Sequence, residues 1–344
     1  MMTDTIALVG KTMEELEELM VDLKQPSFRA KQIFNWIYNQ KVSKIAEMKN
    51  LPKDLRKQLQ QVAELEEFTV LNRQHSKDKT EKFLFQLTDG EKIETVYLPN
   101  QDGRRSLCIS SQVGCAMGCN FCATGLQGLS RNLTAGEIVN QILMVERLTK
   151  ERISNVVLMG MGEPLANYDQ VLKAINLMNH DAGLNIGSRR ITLSTCGLVP
   201  EIKQLADEKL QLTLAISLHA PTDQLRSQMM PINQRYPLDD LLAACDYYTK
   251  QTGRRVSFEY ALVRGVNDSK DLAQKLASLL TGMLAHVNLI PINQVEQIGY
   301  SKPRQEAISS FKMELEKENI AVTVRRERGA DIDAACGQLK AKED

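Results

Sequence analysis

Apolar positions along this chain change their spacing twice. Over residues 12–62 they recur every three or four positions: Leu16, Leu19, Met20 and Leu23, then Ala30, Ile33, Phe34 and Ile37, then Leu55, Leu59 and Val62. That period predicts three helices, each with one apolar face. Thr12-Met13-Glu14-Glu15 has the threonine and glutamate of a capping box and opens the first helix. Pro26-Ser27 ends it. Acids and bases alternate between the apolar positions, so residues 1–66 read as a small helical domain with a charged exterior. Residues 67–100 then read as a β-rich connector, with strand-like runs at 68–71, 83–87 and 93–98. Asp89-Gly90 supplies a hairpin turn between the last two, and Glu94 lies in the second arm.

From about residue 106 strand and helix patterns alternate. Strand-like runs at 107–110, 156–159, 190–194, 212–218, 256–262 and 287–291 are followed by helical stretches around 134–149, 169–180, 200–209, 238–251, 269–281 and 303–318. Such alternation predicts a parallel sheet with helical crossovers. Six units are too few to close an eight-stranded barrel. The expected fold is therefore α/β: an open, partial (β/α)6 barrel over residues 101–344, preceded by the helical domain and a short β-hairpin extension. Reactive groups in such folds collect in the loops after the C-terminal ends of the strands. Here the polar oddities fall there: a cysteine-rich loop after strand one, Gly160-Met161-Gly162-Glu163-Pro164 after strand two, Ser194-Thr195 at the end of strand three, and Ser217-Leu218-His219 at the end of strand four.

Composition narrows the class only a little. The 344 residues suffice for a large domain with a buried core and a smaller one beside it. Lys plus Arg and Asp plus Glu each number 43, so bulk charge signals no nucleic-acid partner. A local patch would have to serve, and Arg104-Arg105, Arg189-Arg190, Arg254-Arg255 and Arg325-Arg326 are candidates, although paired arginines are ordinarily solvated surface. No apolar run approaches the ~20 residues of a membrane span. Met1-Met2-Thr3-Asp4-Thr5-Ile6 carries an acid early and no apolar core, unlike a secretory leader. The cytoplasm is the expected location. Seven cysteines, an odd number in a long chain, argue for metal or catalytic thiols rather than a disulfide framework.

The strongest chemical signal is Gly114-Cys115-Ala116-Met117-Gly118-Cys119-Asn120-Phe121-Cys122, a C-x3-C-x2-C spacing. Zinc sites usually pair C-x2-C units and take four ligands, and no second such pair exists here. Iron–sulfur clusters are normally held by four cysteines. Cys108, Cys196 or Cys336 could complete the set, but three local thiolates also suit a four-iron cluster with one iron open to a ligand. The motif resembles that of the radical S-adenosylmethionine superfamily. The resemblance implies a 4Fe–4S cluster on Cys115, Cys119 and Cys122, whose open iron binds S-adenosylmethionine and cleaves it to a 5′-deoxyadenosyl radical. It also implies that Gly162 and Glu163 receive the cofactor's amino group.

Arg189-Arg190-Ile191-Thr192-Leu193-Ser194-Thr195, Ser217-Leu218-His219, Met230-Pro231-Ile232-Asn233 and the closing block from Gly329 through Cys336-Gly337-Gln338-Leu339 are similar to the RNA adenine C2 methyltransferases, over essentially the whole chain. Adenine C2 is not a nucleophile, so a sulfonium cannot methylate it directly, whereas a carbon radical can add there. The methyl group is best parked first on a thiolate. By resemblance that carrier is Cys336, the proton acceptor for C2 is Glu94, and the thiol that resolves the RNA–protein adduct is Cys108, through a transient disulfide with Cys336. Ser194, Ser217, Leu218, His219 and Asn293 match cofactor-contacting positions, and two S-adenosylmethionine molecules are used per turnover. A lone glutamate on a strand is ordinarily a surface charge, and a lone strand cysteine a small core residue. Cys196 and Cys245 are assigned to packing, and Met159, Met161, Met229 and Met230 to pocket walls.

The implied substrates are an adenosine at the peptidyl-transferase centre of 23S ribosomal RNA, before full ribosome assembly, and a tRNA adenosine beside the anticodon. The implied electron donor is a flavodoxin or ferredoxin, no membrane is involved, and the enzyme is expected to be a monomer. The alternatives are the C8-methylating branch that confers antibiotic resistance, a non-enzymatic iron–sulfur or zinc RNA-binding protein, and a radical enzyme acting on protein. Cys336 argues against the last, since activation of a protein radical needs no methyl carrier.

Overall fold

A computed structural model describes residues 5–293 and 299–341. Residues 1–4, on which the leader argument partly rests, lie outside the described residues. The N-terminal domain holds α1 (Met13–Asp22), α2 (Phe28–Tyr38) and α3 (Lys53–Val62), and its ends are drawn together where β1 (Ile6–Ala7) pairs with β2 (Ala63–Glu64). The capping box forms in full: the Glu15 N–H donates to Thr12 Oγ1 at 3.3 Å and the Thr12 N–H to Glu15 Oε2 at 2.7 Å. Leu16, Met20, Phe34, Leu55 and Leu59 are buried, as their period requires. Lys173 reaches back to Glu15 at 2.7 Å and ties this domain to the rest.

The main sheet has ten strands. Its antiparallel margin is a meander of β3 (Thr69–His75), β4 (Glu81–Gln86) and β5 (Lys92–Pro99), and β5 pairs antiparallel with β6 (Arg105–Cys108). A separate hairpin of β7 (Gln112–Cys115) and β8 (Gly128–Asn132) follows, with the short α4 (Ala123–Leu126) between its arms. From β6 the main sheet continues in parallel through β9 (Asn155–Leu158), β10 (Ile191–Thr195), β11 (Thr213–Ser217), β12 (Val256–Leu262), β13 (Ala285–Pro291) and β14 (Ala321–Val324). The crossovers are α5 (Ala135–Thr149), α6 (Tyr168–Asn179), α7 (Val199–Asp207), α8 (Asp223–Met229) with α9 (Leu238–Thr252), α10 (Lys270–Leu280) and α11 (Gln305–Lys317). Among the described residues no helix is long and apolar enough to cross a membrane.

The partial barrel is as expected, with two differences. The parallel run has a seventh strand, β14, whose four residues sit at the sheet edge, none of them fully buried, and so carry little apolar signal. The extension has the three strands expected at 67–100, but it is continuous with the core sheet through the β5–β6 ladder rather than a separate connector.

That ladder has a consequence for placement. Lys82 is paired with Val96, Val96 with Cys108, and Cys108 with Val157. Side chains alternate between faces along a strand and match across it. Lys82, Glu94, Val96 and Cys108 therefore project from one face. Phe83, Phe85, Ile93 and Leu107 project from the other, where all four are completely buried. Thr95 belongs to that second face, and its hydroxyl donates to Gln141 on α5 at 2.8 Å.

Candidate active site

The cysteine loop is carried by the β7–β8 hairpin. Gly114 adopts a φ of +77°, and a Cβ there would stand 2.0 Å from the Gly128 carbonyl oxygen, so only glycine lets the two arms close. Cys115, Cys119 and Cys122 are half-buried and free. Burial pushes the Cys115 thiol up to about 11 and pushes Cys119 up further, and in each case the neighbouring thiols add to the rise. Thiols so placed are protonated on their own and become thiolates only when metal takes the proton's place. Among the described residues no three His, Cys, Asp or Glu side chains converge as ligands of a single ion would. A cluster takes one thiolate per iron, so its ligands surround it instead of converging. Three mutually close thiols on one glycine-hinged loop fit a 4Fe–4S cluster.

The strand-end loops are fastened to one another by buried side chains. Glu163 accepts the Leu165 N–H at 3.0 Å with one oxygen and the Cys196 N–H at 2.7 Å with the other, and burial raises its pKa. Gly162, at φ +104°, lets this loop pass so near Gln112 that a Cβ would lie 2.6 Å from the Gln112 Cβ. Arg226, fully buried on α8, donates to the carbonyls of Cys196 at 2.6 Å, Leu218 at 3.2 Å and Ser217 at 3.3 Å, and to Asn233 Oδ1 at 2.9 Å. It therefore joins the ends of β10 and β11. The same helix receives the cysteine loop: the Asn120 amide nitrogens donate to Met229 O at 3.1 Å and Gln228 O at 2.7 Å.

His219 is buried, has a φ of +59°, and accepts the Ala261 N–H on Nδ1 at 2.9 Å. Burial, then Arg226, lowers its pKa to about 3, so it is a neutral ring with its proton on Nε2. It meets Phe121 of the cysteine loop edge-on, with centroids 4.7 Å apart. Ser194 and Ser217 are half-buried at the same rim, while the Leu218 side chain is packed in the main core and its backbone N–H donates to Glu259 O at 3.0 Å.

Glu94 is 2% exposed and so is no surface charge. Its Oε1 lies 3.0 Å from Lys82 Nζ. Its Oε2 accepts the backbone N–H groups of Lys340 at 2.7 Å and Ala341 at 3.2 Å. Cys108, the diagonal neighbour of Glu94 on the shared face, is a buried thiol pushed up to about 12 by desolvation and then by Cys336. Cys336 is half-buried, and its carbonyl accepts the Asn293 amide at 3.4 Å. Arg325 is held charged chiefly by Cys336, with Glu259 and Cys108 behind.

The segment after Cys336 is laced to the cysteine loop. Gly337 O accepts the Ala123 N–H at 2.8 Å, Leu339 O the Thr124 hydroxyl at 2.6 Å, and Lys340 O the Gln127 amide. One short stretch thus runs from Cys336 along the cysteine loop to Glu94. Sequence reasoning missed Lys82, Arg226 and the role of Arg325. Of these only Arg325 left a signal, as one of the arginine pairs, which are ordinarily solvated surface, whereas the β14 strand it follows was not anticipated.

Comparison with known proteins shows the family. The Radical SAM superfamily model matches residues 109–276, and that of the ribosomal RNA large subunit methyltransferase N-terminal domain matches residues 6–65. The chain is 51% identical over 340 residues to a probable dual-specificity RNA methyltransferase RlmN of Geobacillus thermodenitrificans, covering 98% of this chain and 93% of that one. It is 52% identical to the corresponding protein of Alkaliphilus oremlandii, covering 98% of each. A crystal structure of a radical SAM methyltransferase from Sphaerobacter thermophilus superposes with a TM-score of 0.95 at 47% identity, covering 98% of this chain and all of that one. With about half of its residues identical to these relatives over 98% of its length, the chain belongs to the RlmN family of radical SAM RNA methyltransferases.

Proposed function

We propose that this chain methylates C2 of adenosine in 23S ribosomal RNA and in transfer RNA, through a methyl group carried on Cys336. The observation that supports the reading most directly is the stretch from Cys336 to Ala341, which joins the cysteine loop to a face bearing both Glu94 and Cys108. A carrier, a base and a resolving thiol are the three groups that methylation of a non-nucleophilic carbon needs from the protein.

When bound, the 4Fe–4S cluster and S-adenosylmethionine would supply the methyl group and the carbon radical and would take back the one electron the radical adduct gives up, with Cys115, Cys119 and Cys122 holding the cluster. The chain's own residues do the rest. Cys336 receives the methyl group, with the Arg325 guanidinium beside it. Glu94 takes the proton from C2 once the base is joined to Cys336. Cys108 then attacks the Cys336 sulfur. The sulfur–carbon bond breaks with its electron pair going to the former methylene carbon, which takes up a proton to become the methyl group; the methylated RNA leaves, and a Cys108–Cys336 disulfide remains to be reduced. At rest Cys108 is a thiol, so its proton must depart as that bond forms.

The same reading has the enzyme act as a monomer in the cytoplasm on RNA not yet assembled into full ribosomes, with a flavodoxin or ferredoxin as electron donor. The target base must leave its stack to reach a site this enclosed. Mass spectrometry of RNA from cells lacking the chain tests it. Loss of 2-methyladenosine from ribosomal and transfer RNA is expected, and loss of 8-methyladenosine alone would overturn the C2 assignment.

A further inference from the structure

The ion pair between Lys82 and Glu94 has no part in the chemistry described so far. Lys82 is 6% exposed and Glu94 2%, with Nζ and Oε1 3.0 Å apart. Lysine is almost never buried this far unless paired, and an apolar pair of similar volume often packs as stably as a buried ion pair. Strand register makes the contact: Glu94 is paired with Leu84, so Lys82 is its diagonal neighbour, within reach of a long side chain. The ammonium also donates to the carbonyl of Asp333 at 3.3 Å, in the segment leading to Cys336. The meander's core face, with Phe83, Phe85 and Ile93, is on the other side and does not use this lysine.

We propose that Lys82 is a positioning residue for the proton acceptor. Its ammonium fixes Oε1 of Glu94 and leaves Oε2 as the oxygen that turns to the substrate. The backbone N–H groups of Lys340 and Ala341 hold Oε2 in the RNA-free protein and give way when the base arrives, whereas Lys82 stays. The inference rests on Glu94 being the acceptor of the C2 proton. It predicts a defect confined to release of the adduct, because the ammonium's partners among the described residues, Glu94 and Asp333 O, lie outside the cysteine loop.

The test is single-turnover reaction of the full chain, anaerobically reconstituted with its cluster, on RNA carrying protium or deuterium at C2 of the target adenosine. Denaturing gels follow the RNA–Cys336 adduct. In Lys82→Met the adduct forms at close to the wild-type rate but clears about 10- to 100-fold more slowly, the cost of a misplaced base. Clearance also acquires a primary deuterium isotope effect, because proton removal becomes limiting. Lys82→Arg restores clearance to within a few-fold. Should Lys82→Met not fold, Lys82→Gln takes its place. Clearance at the wild-type rate in the neutral variant, or slow clearance without an isotope effect in the neutral and arginine variants alike, overturns the inference. Glu94→Gln separates the two readings: if it clears adduct normally, Glu94 is not the acceptor; if it stalls while the neutral Lys82 variant clears normally, only the role of Lys82 falls.

Discussion

The parallel half of the sheet and its antiparallel margin present functional groups in opposite ways. In the parallel half they sit on loops beyond the strand ends, and those loops are held by side chains: Arg226 across β10 and β11, Glu163 across the loops after β9 and β10, and Asn120 on α8. In the margin Glu94 and Cys108 are strand residues, and backbone pairing alone puts them on one face. The rim can therefore fail piece by piece as its fastenings are removed. In the margin the placement of Glu94 and Cys108 is stored in the ladder, and Lys82 alone is argued to act through another side chain. On the function proposed above, the first half makes the reactive species, and the second disposes of the product.

Substitutions that separate the halves sharpen this contrast. Cys119→Ala strikes the first and has the largest expected effect: no iron–sulfur absorbance after reconstitution, and S-adenosylmethionine cleavage and RNA methylation both at background. Cys108→Ala strikes the second. Cluster absorbance and cofactor cleavage persist, while methylated RNA falls by about 100-fold or more and a covalent RNA–protein adduct accumulates on denaturing gels. If Cys108→Ala also abolished cofactor cleavage, the division between the halves would be broken.

Smaller effects probe the fastenings. Arg226→Met leaves three buried carbonyls and Asn233 without their donor and should cost about 3 kcal/mol in urea unfolding, with Glu94 and Cys108 unaffected. His219 gives the least. It is neutral in the folded protein down to about pH 3, while in the unfolded chain it takes up a proton near 6.5. Its contribution is complete above pH 6.5 and is lost as pH falls toward 3, at ~1.4 kcal/mol per pH unit. Urea unfolding at pH 7 and 5.5 should show that difference in wild type and not in His219→Asn, a replacement suited to the positive φ.

Much of the parallel half was legible because its signals are local. The helices from α5 to α11 that were anticipated lie within two residues of their expected bounds, and Cys115, Cys119 and Cys122 declare themselves by spacing. The β7–β8 hairpin was not legible, since Gly128-Leu129-Ser130-Arg131-Asn132 has neither apolar alternation nor burial. In the margin, Glu94 and Cys108 looked like a surface charge and a core filler, and only resemblance to a family gave them roles. Lys82 was invisible even so: its partner is fixed by how β4 and β5 align, which no single window of sequence contains. Arg226 was hidden for a related reason. Its partners are backbone carbonyls from two other strands' ends, and carbonyls have no residue type to read.

The ladder between β5 and β6 also sets where this family can change its length. An extra residue in the turn at 100–104, where the Gly103 N–H already closes onto Asn100 O at 3.1 Å, would bulge outward and leave the strands aligned. One inserted between Glu94 and Val96 would send the carboxylate to the α5 side, although every catalytic letter would still be present. Related chains are thus expected to vary in length at the turn and to be invariant across those few strand positions. Gaps, as much as identities, would then tell a working relative from one that has lost the reaction.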